Sequence, residues 1–272
     1  GYPVHMNWLR PLGKTGIMVS ALGLGTVKLG RDQGVKYPAH FTLPDDVSAA
    51  ALLARAHELG INLLDTAPAY GSSEERLGRL LKGQRQKWLI CSKVGEEFEL
   101  GQSHFDFSPG HTRASVQRSL QRLKTDVLDI VLVHSNGNDQ HIIENMGTLD
   151  TLAQLQREGL LRAFGMSTKT LAGGLAAAGI CELVMVTYNP GQLEELPVLD
   201  ACERKGCGVL IKKALASGHL LSAAGEPRCG DPLQTSMDLV FAHPATSAAI
   251  IGTINPGHLE ANVAAARRAI EA

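Results

Sequence analysis

Four side chains that could move a proton stand at or just after short apolar runs of the chain. Asp65 ends the run INLLD, Tyr70 follows on a short loop, Lys93 follows WLICS, and His134 follows DIVLV. A free phenol has a pKa near ~10, so it gives up its proton poorly at neutral pH. A nearby ammonium stabilises the phenolate, and a carboxylate keeps that ammonium charged. An imidazole can orient a carbonyl or share the proton. The four types together predict a proton-donating site.

The apolar runs belong to a unit that recurs along the chain. An amphipathic stretch typical of a helix ends, often at glycine, and an apolar run follows at once, as in ALLARAHELG before INLLD. Near-continuous apolar runs are typical of parallel strands buried on both faces. The sequence predicts eight strands, at 21–25, 61–64, 88–92, 128–133, 163–166, 183–187, 208–211 and 248–251.

Eight such units in 272 residues predict an α/β fold, a (β/α)8 TIM barrel, as a single domain over 1–272. The four candidate side chains would then meet at one rim, because chemistry in these barrels lies at the C-terminal strand ends. The alternative is an open doubly wound sheet. The segment GLGTVKLG resembles the glycine-rich phosphate-binding pattern of that fold, but Lys28 stands where the pattern requires glycine.

The flanking segments add three local predictions. NWLRPLGKTGIMVSAL predicts a β-hairpin ahead of the first strand, which would close the barrel bottom. Residues 1–5 are interpreted as an artificial extension before a native start at Met6. Ser72 with Glu75 matches a capping box, and Ser108 before proline matches a helix N-cap.

Composition argues against several classes of function. The formal net charge is −1 with no basic block, so nucleic-acid binding is not expected. No apolar run reaches ~18 residues, so no membrane span is predicted. The start lacks the features of a secretory signal. The five cysteines form no C-x-x-C pair and no zinc spacing, so no metal site is expected and a cytoplasmic location is the interpretation.

LDTAPAYGSSEERLG, ICSKVG and IVLVHSNG resemble the three signature segments of the aldo-keto reductase superfamily, in order, spacing and predicted barrel position. The resemblance covers nearly the whole chain. It implies NAD(P)(H)-dependent reduction of an aldehyde, ketone or aldose to an alcohol, or the reverse. It also implies that Asp65, Tyr70, Lys93 and His134 form the catalytic tetrad, with Tyr70 as the general acid in reduction and the general base in oxidation.

The same resemblance implies that NADP or NAD binds in an extended form without a Rossmann fold. Ser167 of GMST matches the serine that holds the carboxamide, whereas Thr168 and Met185 replace the usual asparagine and glutamine. Lys212 stands where an aromatic residue often stacks on the nicotinamide, and the alternative for Lys212 and Lys213 is a solvated loop. The cofactor-binding candidates are Gly25, Thr26, Asp65, Ser167, Thr168, Lys212, Leu215, Ser217, Gly218, Leu220, Gly252, Thr253, Asn255, His258 and Asn262.

The segment GTINPGHLEAN bears on the choice between NADP and NAD. A helix N-terminus there suits an adenosine phosphate. Relatives that prefer NADP carry Lys or Arg in this segment, where this chain has Gly252, Asn255 and His258. Because bidentate guanidinium pairing requires an arginine, the sequence predicts a weakened NADP preference, with NAD accepted or preferred.

Three long loops overhang the predicted rim, at 27–45, 95–108 and 135–143. The substrate candidates are Tyr37, Phe41, Phe98 and His134. Aromatic residues make up only 4% of the chain, which disfavours a deep aromatic pocket. The prediction is a small polar carbonyl or sugar substrate, bound by a monomer or small homo-oligomer.

Two other functions stay open from the sequence. The superfamily contains dinucleotide-binding regulatory subunits with slow turnover, which also keep the tetrad. A barrel isomerase or aldolase would instead use Lys93 as a Schiff-base amine, which borohydride would trap. The presence of Asp65 and Tyr70 in the same set of motifs as Lys93 disfavours the isomerase or aldolase hypothesis.

Overall fold

The computed structural model describes residues 8–32, 41–215 and 230–272. Its strands are β1 (Leu9–Pro11), β2 (Met18–Ser20), β3 (Leu22–Gly25), β4 (Leu63–Asp65), β5 (Leu89–Val94), β6 (Glu96–Glu99), β7 (Gln102–Phe105), β8 (Leu128–His134), β9 (Leu161–Ser167), β10 (Leu183–Thr187), β11 (Gly208–Lys212) and β12 (Thr246–Ile251). Its α-helices are α1 (Val27–Gly30), α2 (Asp46–Glu58), α3 (Ser73–Leu80), α4 (Pro109–Leu123), α5 (Asp139–Asn145), α6 (Thr148–Arg157), α7 (Leu171–Ile180), α8 (Leu196–Lys205), α9 (Pro232–Ala242) and α10 (Pro256–Glu271).

Eight parallel strands close into a barrel in the order β3-β4-β5-β8-β9-β10-β11-β12, with β12 paired back to β3. The predicted (β/α)8 barrel is confirmed, and each predicted strand coincides with one barrel strand to within a few residues. The doubly wound alternative is wrong, because the sheet has closed on itself. Closure brings the C-terminal ends of all eight strands to one rim.

Apolar side chains fill both faces of the barrel wall. One cluster lies inside the barrel and includes Leu63, Ile130 and Leu132, and a larger one lies between the strands and the helices. In β8 every residue from Leu128 to Val133 is buried, which explains the continuous apolar run. Each fully buried aliphatic side chain contributes about 1.5–3 kcal/mol, so this two-sided burial holds the strand ends in place.

The predicted hairpin is present as β1 paired antiparallel with β2, with Arg10 opposite Val19. Leu12 of the hairpin turn is fully buried and belongs to the cluster inside the barrel. A Cβ added to Gly13 would lie 2.4 Å from the backbone nitrogen of Gly208, at the start of β11. The hairpin therefore closes the barrel at the N-terminal strand ends, which is the bottom.

The predicted helix starts have two different outcomes. Ser108 caps α4 as expected, because its Oγ accepts a hydrogen bond from the His111 backbone nitrogen at 3.3 Å. The capping box at Ser72 is wrong, because the Ser72 side chain makes no capping hydrogen bond to α3. Ser73 is fully buried and Glu75 is exposed. The buried polar contacts of α3 are thus made by side chains one position away from the pair that the pattern indicated.

Two further expectations concern the membrane and the cysteines. Among residues 8–32, 41–215 and 230–272, none of the helices has both the length and the apolarity needed to cross a membrane. Cys91, Cys181, Cys202 and Cys207 have free thiols.

Candidate active site

A buried ion pair lies between the ends of β4 and β5. Lys93 Nζ is 2.6 Å from Asp65 Oδ1 and also donates to the Thr66 carbonyl oxygen at 2.9 Å. The two charged side chains are 1% and 5% exposed. Burial acts to lower the pKa of Lys93, but the negative charge of Asp65, helped by Tyr70, outweighs burial and raises that pKa above its ordinary value. The ammonium therefore stays charged in the interior because Asp65 is beside it.

Tyr70 lies on the loop after β4, with its ring beside this ammonium. Lys93 Nζ is 4.9 Å from the centroid of the ring. Burial raises the pKa of Tyr70 to about 12, although the charge of Lys93 acts to lower it. The expectation of a phenol more acidic than in water is wrong in its net direction, because removal from water outweighs the ammonium. Lys93 limits the increase and keeps a positive charge next to the phenol.

His134 ends β8 and meets Tyr70 edge to face, with ring centroids 6.2 Å apart and planes at 87°. Its Nδ1 lies 3.2 Å from Glu96 Oε2, although Nδ1 forms no hydrogen bond with any residue that the structure describes. Burial lowers the pKa of His134 well below its usual value, and nearby positive charges add to this effect. These charges belong to Lys93, Lys212, Lys169 and Arg31. The imidazole is therefore neutral at physiological pH.

Buried hydroxyl groups fix the loop that carries the phenol. Ser73 Oγ lies 2.7 Å from Thr26 Oγ1 and 2.9 Å from Thr66 Oγ1. Thr26 Oγ1 also donates to the Asp65 carbonyl oxygen at 2.8 Å. These contacts tie the ends of β3 and β4 to the start of α3, so they set the position of Tyr70. Ser73 was not among the residues predicted from the sequence, where its only signal was its place inside the signature segment.

A second buried contact ties α3 to the lysine strand. Ser92 Oγ, on the residue before Lys93, donates to Glu74 Oε2 at 2.8 Å. Glu74 is 1% exposed, and its other oxygen accepts from Arg122 at 3.3 Å. Glu74 and Ser92 were not predicted from the sequence either, because a Ser–Glu contact between two elements leaves no local pattern.

Two glycines allow α1 to lie directly against the loop of Tyr70. A Cβ on Gly30 would be 2.2 Å from both the Tyr70 carbonyl oxygen and the Ser73 nitrogen. Gly71 has a φ of +59°, and a Cβ there would be 1.9 Å from the Gly30 oxygen. Since a side chain at either position would overlap backbone atoms, both positions require glycine.

Three of the predicted cofactor residues reach the same rim as the tetrad. Gly25 ends β3 opposite Asp65, and Ser167 ends β9 opposite His134. Lys212 ends β11, and its Nζ donates to Ser167 Oγ at 3.1 Å. The solvated-loop alternative is therefore wrong for Lys212, whereas Lys213 follows the strand and is exposed. Burial lowers the pKa of Lys212 to about 8.

Thr168 and Met185 stand at the positions of the usual asparagine and glutamine, and both side chains lie inside the protein. Thr168 Oγ1 is buried and has no hydrogen-bond partner among the residues that the structure describes, and a Cβ on Gly174 of α7 would lie 3.5 Å from it. The Thr168 carbonyl oxygen, in contrast, accepts from Lys212 Nζ at 3.1 Å. Met185 packs in the cluster inside the barrel. In this structure Thr168 therefore presents its backbone, not its hydroxyl, to the lysine.

The outer cofactor candidates lie on two segments. Leu215 is partly buried against the main core, while Ser217, Gly218 and Leu220 lie outside the described residues. Near the start of α10, Asn255 Oδ1 accepts from the His258 nitrogen at 3.1 Å, and Thr253 Oγ1 accepts from the Asn255 nitrogen at 3.1 Å. Asn262 is buried within the helix and Gly252 is exposed before it. The segment 252–266 contains no Lys or Arg.

Of the substrate candidates, Phe98 lies on β6 with the Arg31 guanidinium carbon 3.6 Å from its ring centroid. Phe41 lies with Lys28 Nζ 5.5 Å from its ring centroid. His134 faces Tyr70, and Tyr37 lies outside the described residues. The structure thus brings Phe98 to the Arg31 side of the rim and leaves Phe41 beside α1.

The rim has features that suit a nicotinamide dinucleotide. Ser167 and Lys212 offer polar atoms for a carboxamide close to the tetrad. Gly25 and Gly252 are neighbours at the ends of adjacent strands, since a Cβ on Gly25 would lie 3.8 Å from the Gly252 Cα. Among residues 8–32, 41–215 and 230–272, nothing lies within 4 Å of a Cβ built on Gly252, so these residues leave the backbone uncovered at this part of the rim. A long, polar ligand can lie against it.

Comparison with known proteins agrees with this geometry. The aldo/keto reductase family profile matches residues 21–239. A solved structure from Pseudomonas aeruginosa, described as an aldo-keto reductase, superimposes with a TM-score of 0.86 and 58% identity, covering 96% of this chain and 95% of that one. L-galactose dehydrogenase of Arabidopsis thaliana is 33% identical over 234 residues, which are 80% of this chain and 68% of that protein.

A third relative, the NADH-specific methylglyoxal reductase of Escherichia coli, is 34% identical over 168 residues, which are 57% of this chain and 50% of that protein. The profile match alone covers most of the chain. The chain therefore belongs to the aldo/keto reductase family and is an NAD(P)-dependent oxidoreductase of carbonyl compounds.

Proposed function

We propose that Tyr70 is the proton donor when this protein reduces a carbonyl to an alcohol, and the proton acceptor in the reverse reaction. The observation that carries this proposal is the buried contact of the Tyr70 ring with the Lys93–Asp65 ion pair. When bound, the dinucleotide supplies or accepts the hydride. The side chains of the chain itself handle the proton and the charge.

The roles of the other tetrad members follow from their charges. Once Tyr70 has given its proton to the carbonyl oxygen, a phenolate remains, and the buried ammonium of Lys93 stabilises it. Asp65, at 2.6 Å, keeps that ammonium charged. His134 is neutral and lies edge-on to the phenol, so it can hold the carbonyl oxygen through one hydrogen bond without competing for the proton.

We assign the dinucleotide to the rim that carries Gly25, Thr26, Ser167 and Lys212, with its pyrophosphate over 215–220 and its adenosine end at the start of α10. NAD(H) is favoured over NADP(H), because the segment 252–266 contains no Lys or Arg to pair with a 2′-phosphate. The NADH specificity named for the methylglyoxal reductase relative supports this choice. Titration with NADH and NADPH tests it. NADPH binding more than about a hundredfold tighter (~2.7 kcal/mol) would overturn it.

We assign a small polar carbonyl compound or a sugar as the substrate. The names of two relatives, L-galactose dehydrogenase and methylglyoxal reductase, support this class. Arg31 and Lys169 place positive charge close to His134, which suits a hydroxylated substrate better than an apolar one. The measurement is NADH oxidation with a panel of aldoses, small oxygenated aldehydes and aromatic aldehydes. A clear preference for apolar aromatic aldehydes would contradict the assignment.

The variant Tyr70→Phe tests the central claim. The aromatic ring and its packing are kept, but the phenolic hydroxyl and its proton are lost. The kcat is therefore expected to fall by about 10²–10⁴-fold. The affinity for NADH, measured by fluorescence titration, is expected to change less than about twofold. Retention of wild-type turnover by Tyr70→Phe would show that another group carries the proton.

A further inference from the structure

Two hydrogen bonds hold the side chain of Lys212 at the rim. Its Nζ donates to Ser167 Oγ and to the Thr168 carbonyl oxygen, each at 3.1 Å. The backbone beside it is held as well, because Asn189 Nδ2 donates to the Lys213 carbonyl oxygen at 2.9 Å. Lys213 itself has a φ of 57°, and its side chain is exposed. Of these two adjacent lysines, Lys212 is therefore fixed at the rim and Lys213 extends into solvent.

The positive charge of Lys212 is only partly compensated. The carboxyl group that acts to raise its pKa is Glu195, whose Oε2 accepts a hydrogen bond from the Thr187 backbone nitrogen at 3.0 Å. The Oε1 of Glu195 is buried and has no hydrogen-bond partner within the described part of the chain, and burial raises the pKa of that carboxyl. Lys93, in contrast, has a carboxylate at 2.6 Å. Lys212 therefore contributes more unbalanced positive charge to the rim than Lys93 does.

Charges of both signs act on His134, because Glu96 Oε2 lies 3.2 Å from its Nδ1, yet its pKa is lowered. After burial, the causes of its lowered pKa are four positive groups, and Lys212 is among them. The four positive groups that disfavour the imidazolium should therefore also disfavour any further positive charge placed at this part of the rim. The nicotinamide ring is neutral when reduced and carries one positive charge when oxidised, so the two forms of the cofactor differ in the property that this field distinguishes.

We propose that Lys212 makes this site select the redox state of its cofactor, so that the neutral, reduced nicotinamide binds more tightly than the cationic, oxidised one. The inference rests on the proposed function, because it requires a dinucleotide at this rim. The physical basis is repulsion between like charges, which is stronger in a partly buried site than in water. Uncharged groups at the replaced positions, Thr168 and Met185, cannot exert it.

The test compares dissociation constants for NADH and NAD+, measured by calorimetry on the whole protein. The wild type is expected to bind NADH more tightly. Lys212→Met should lower the ratio Kd(NAD+)/Kd(NADH) by about tenfold (1.4 kcal/mol), mainly through tighter NAD+ binding. Lys212→Gln should behave in the same way, while Lys212→Arg, which keeps the charge, should preserve the ratio.

The matched control is Lys213→Met, which removes one positive charge from the next, exposed residue. It should leave the ratio within about twofold of the wild-type value. An unchanged ratio in Lys212→Met and Lys212→Gln would overturn the inference and leave the proposed function intact. An equal loss of affinity for NADH and for NAD+ would also overturn it, since Lys212 would then bind both forms of the cofactor equally well. If the wild type binds neither form, the proposed function itself fails.

Discussion

At the scale of single residues, Lys93 and Lys212 show how one residue type acquires opposite properties at one rim. Burial acts to lower the pKa of both. Lys93 has Asp65 at 2.6 Å and its pKa is raised, whereas Lys212 has hydroxyl and carbonyl oxygens as partners and its pKa is lowered to about 8. The difference follows from the charge of the partner, because only a carboxylate compensates an ammonium that has lost water.

The lowered pKa of Lys212 predicts a pH dependence of NAD+ binding. Burial is the main cause; Glu195 raises this pKa, and Lys213, Lys169 and Lys93 lower it further. The ammonium is charged below pH 8 and neutral above it, so its repulsion of oxidised nicotinamide is present at pH 7 and largely lost at pH 9. Because part of the protein is already in the other form at each pH, the Kd for NAD+ should fall by about fivefold over this range, which is less than the full tenfold effect of removing the charge.

Calorimetric titration of NAD+ at several pH values measures this effect, with NADH as the reference ligand. In Lys212→Met the profile should be flat. A wild-type profile as flat as that of the variant would contradict the assignment of the titrating group.

At the scale of elements, the position of Tyr70 depends on how closely α1 approaches the loop between β4 and α3. The Ser72 nitrogen donates to the Gly30 oxygen at 3.1 Å, and there is no space for a side chain at Gly30. Two elements that are distant in the sequence thus share one backbone contact. A small displacement of α1 would move the phenol relative to the ammonium.

Gly30→Ala tests this dependence. The new methyl group would overlap the Tyr70 carbonyl oxygen, so we expect a loss of about 1–3 kcal/mol in the free energy of unfolding. We also expect kcat to fall by at least about tenfold, because small misplacements of catalytic groups are costly. Urea unfolding and steady-state kinetics measure the two effects.

Gly110→Ala is the control for that substitution, because Gly110 lies in α4 and a Cβ there meets nothing within 4 Å. It should raise the free energy of unfolding slightly, by up to about 1 kcal/mol, since alanine favours the helix. Normal kcat in a folded Gly30→Ala variant would show that the loop does not depend on α1.

At the scale of the whole molecule, the barrel separates stability at the bottom from chemistry at the top. The hairpin covers the bottom with Leu12, Ile17 and Val19, all of which belong to the cluster inside the barrel. The tetrad stands at the opposite strand ends. Because the two ends share only the barrel wall, changes at the bottom should alter folding without altering the site.

Leu12→Ala should lower the free energy of unfolding by about 2–5 kcal/mol, since it leaves a cavity in a fully buried position. Urea unfolding measures the loss, and fluorescence titration should show an unchanged NADH affinity. The control is Leu9→Ala in the same hairpin, where the side chain is 42% exposed. A Leu12→Ala variant that keeps its stability but loses NADH affinity would reverse the proposed division between bottom and top.

The sequence by itself determined the barrel, the hairpin and the four residues of the rim. A continuous apolar run indicates a strand buried on both faces, and a polar residue at the end of such a run indicates where the strand ends. Both features can therefore be recognised from the local sequence. Asp65, Lys93 and His134 could be placed at one rim before any distance was known, because parallel strands in a closed barrel end on the same side.

Only the tertiary structure decided how these groups behave. The pKa of Tyr70 is raised, not lowered, because desolvation depends on everything packed around the phenol. Ser73 is the buried serine in place of Ser72, and Lys212 faces the rim while Lys213 faces solvent. The physical reason is the same in each case: burial and the distance between charges are set by contacts between residues that are far apart in the chain, and no local pattern records them.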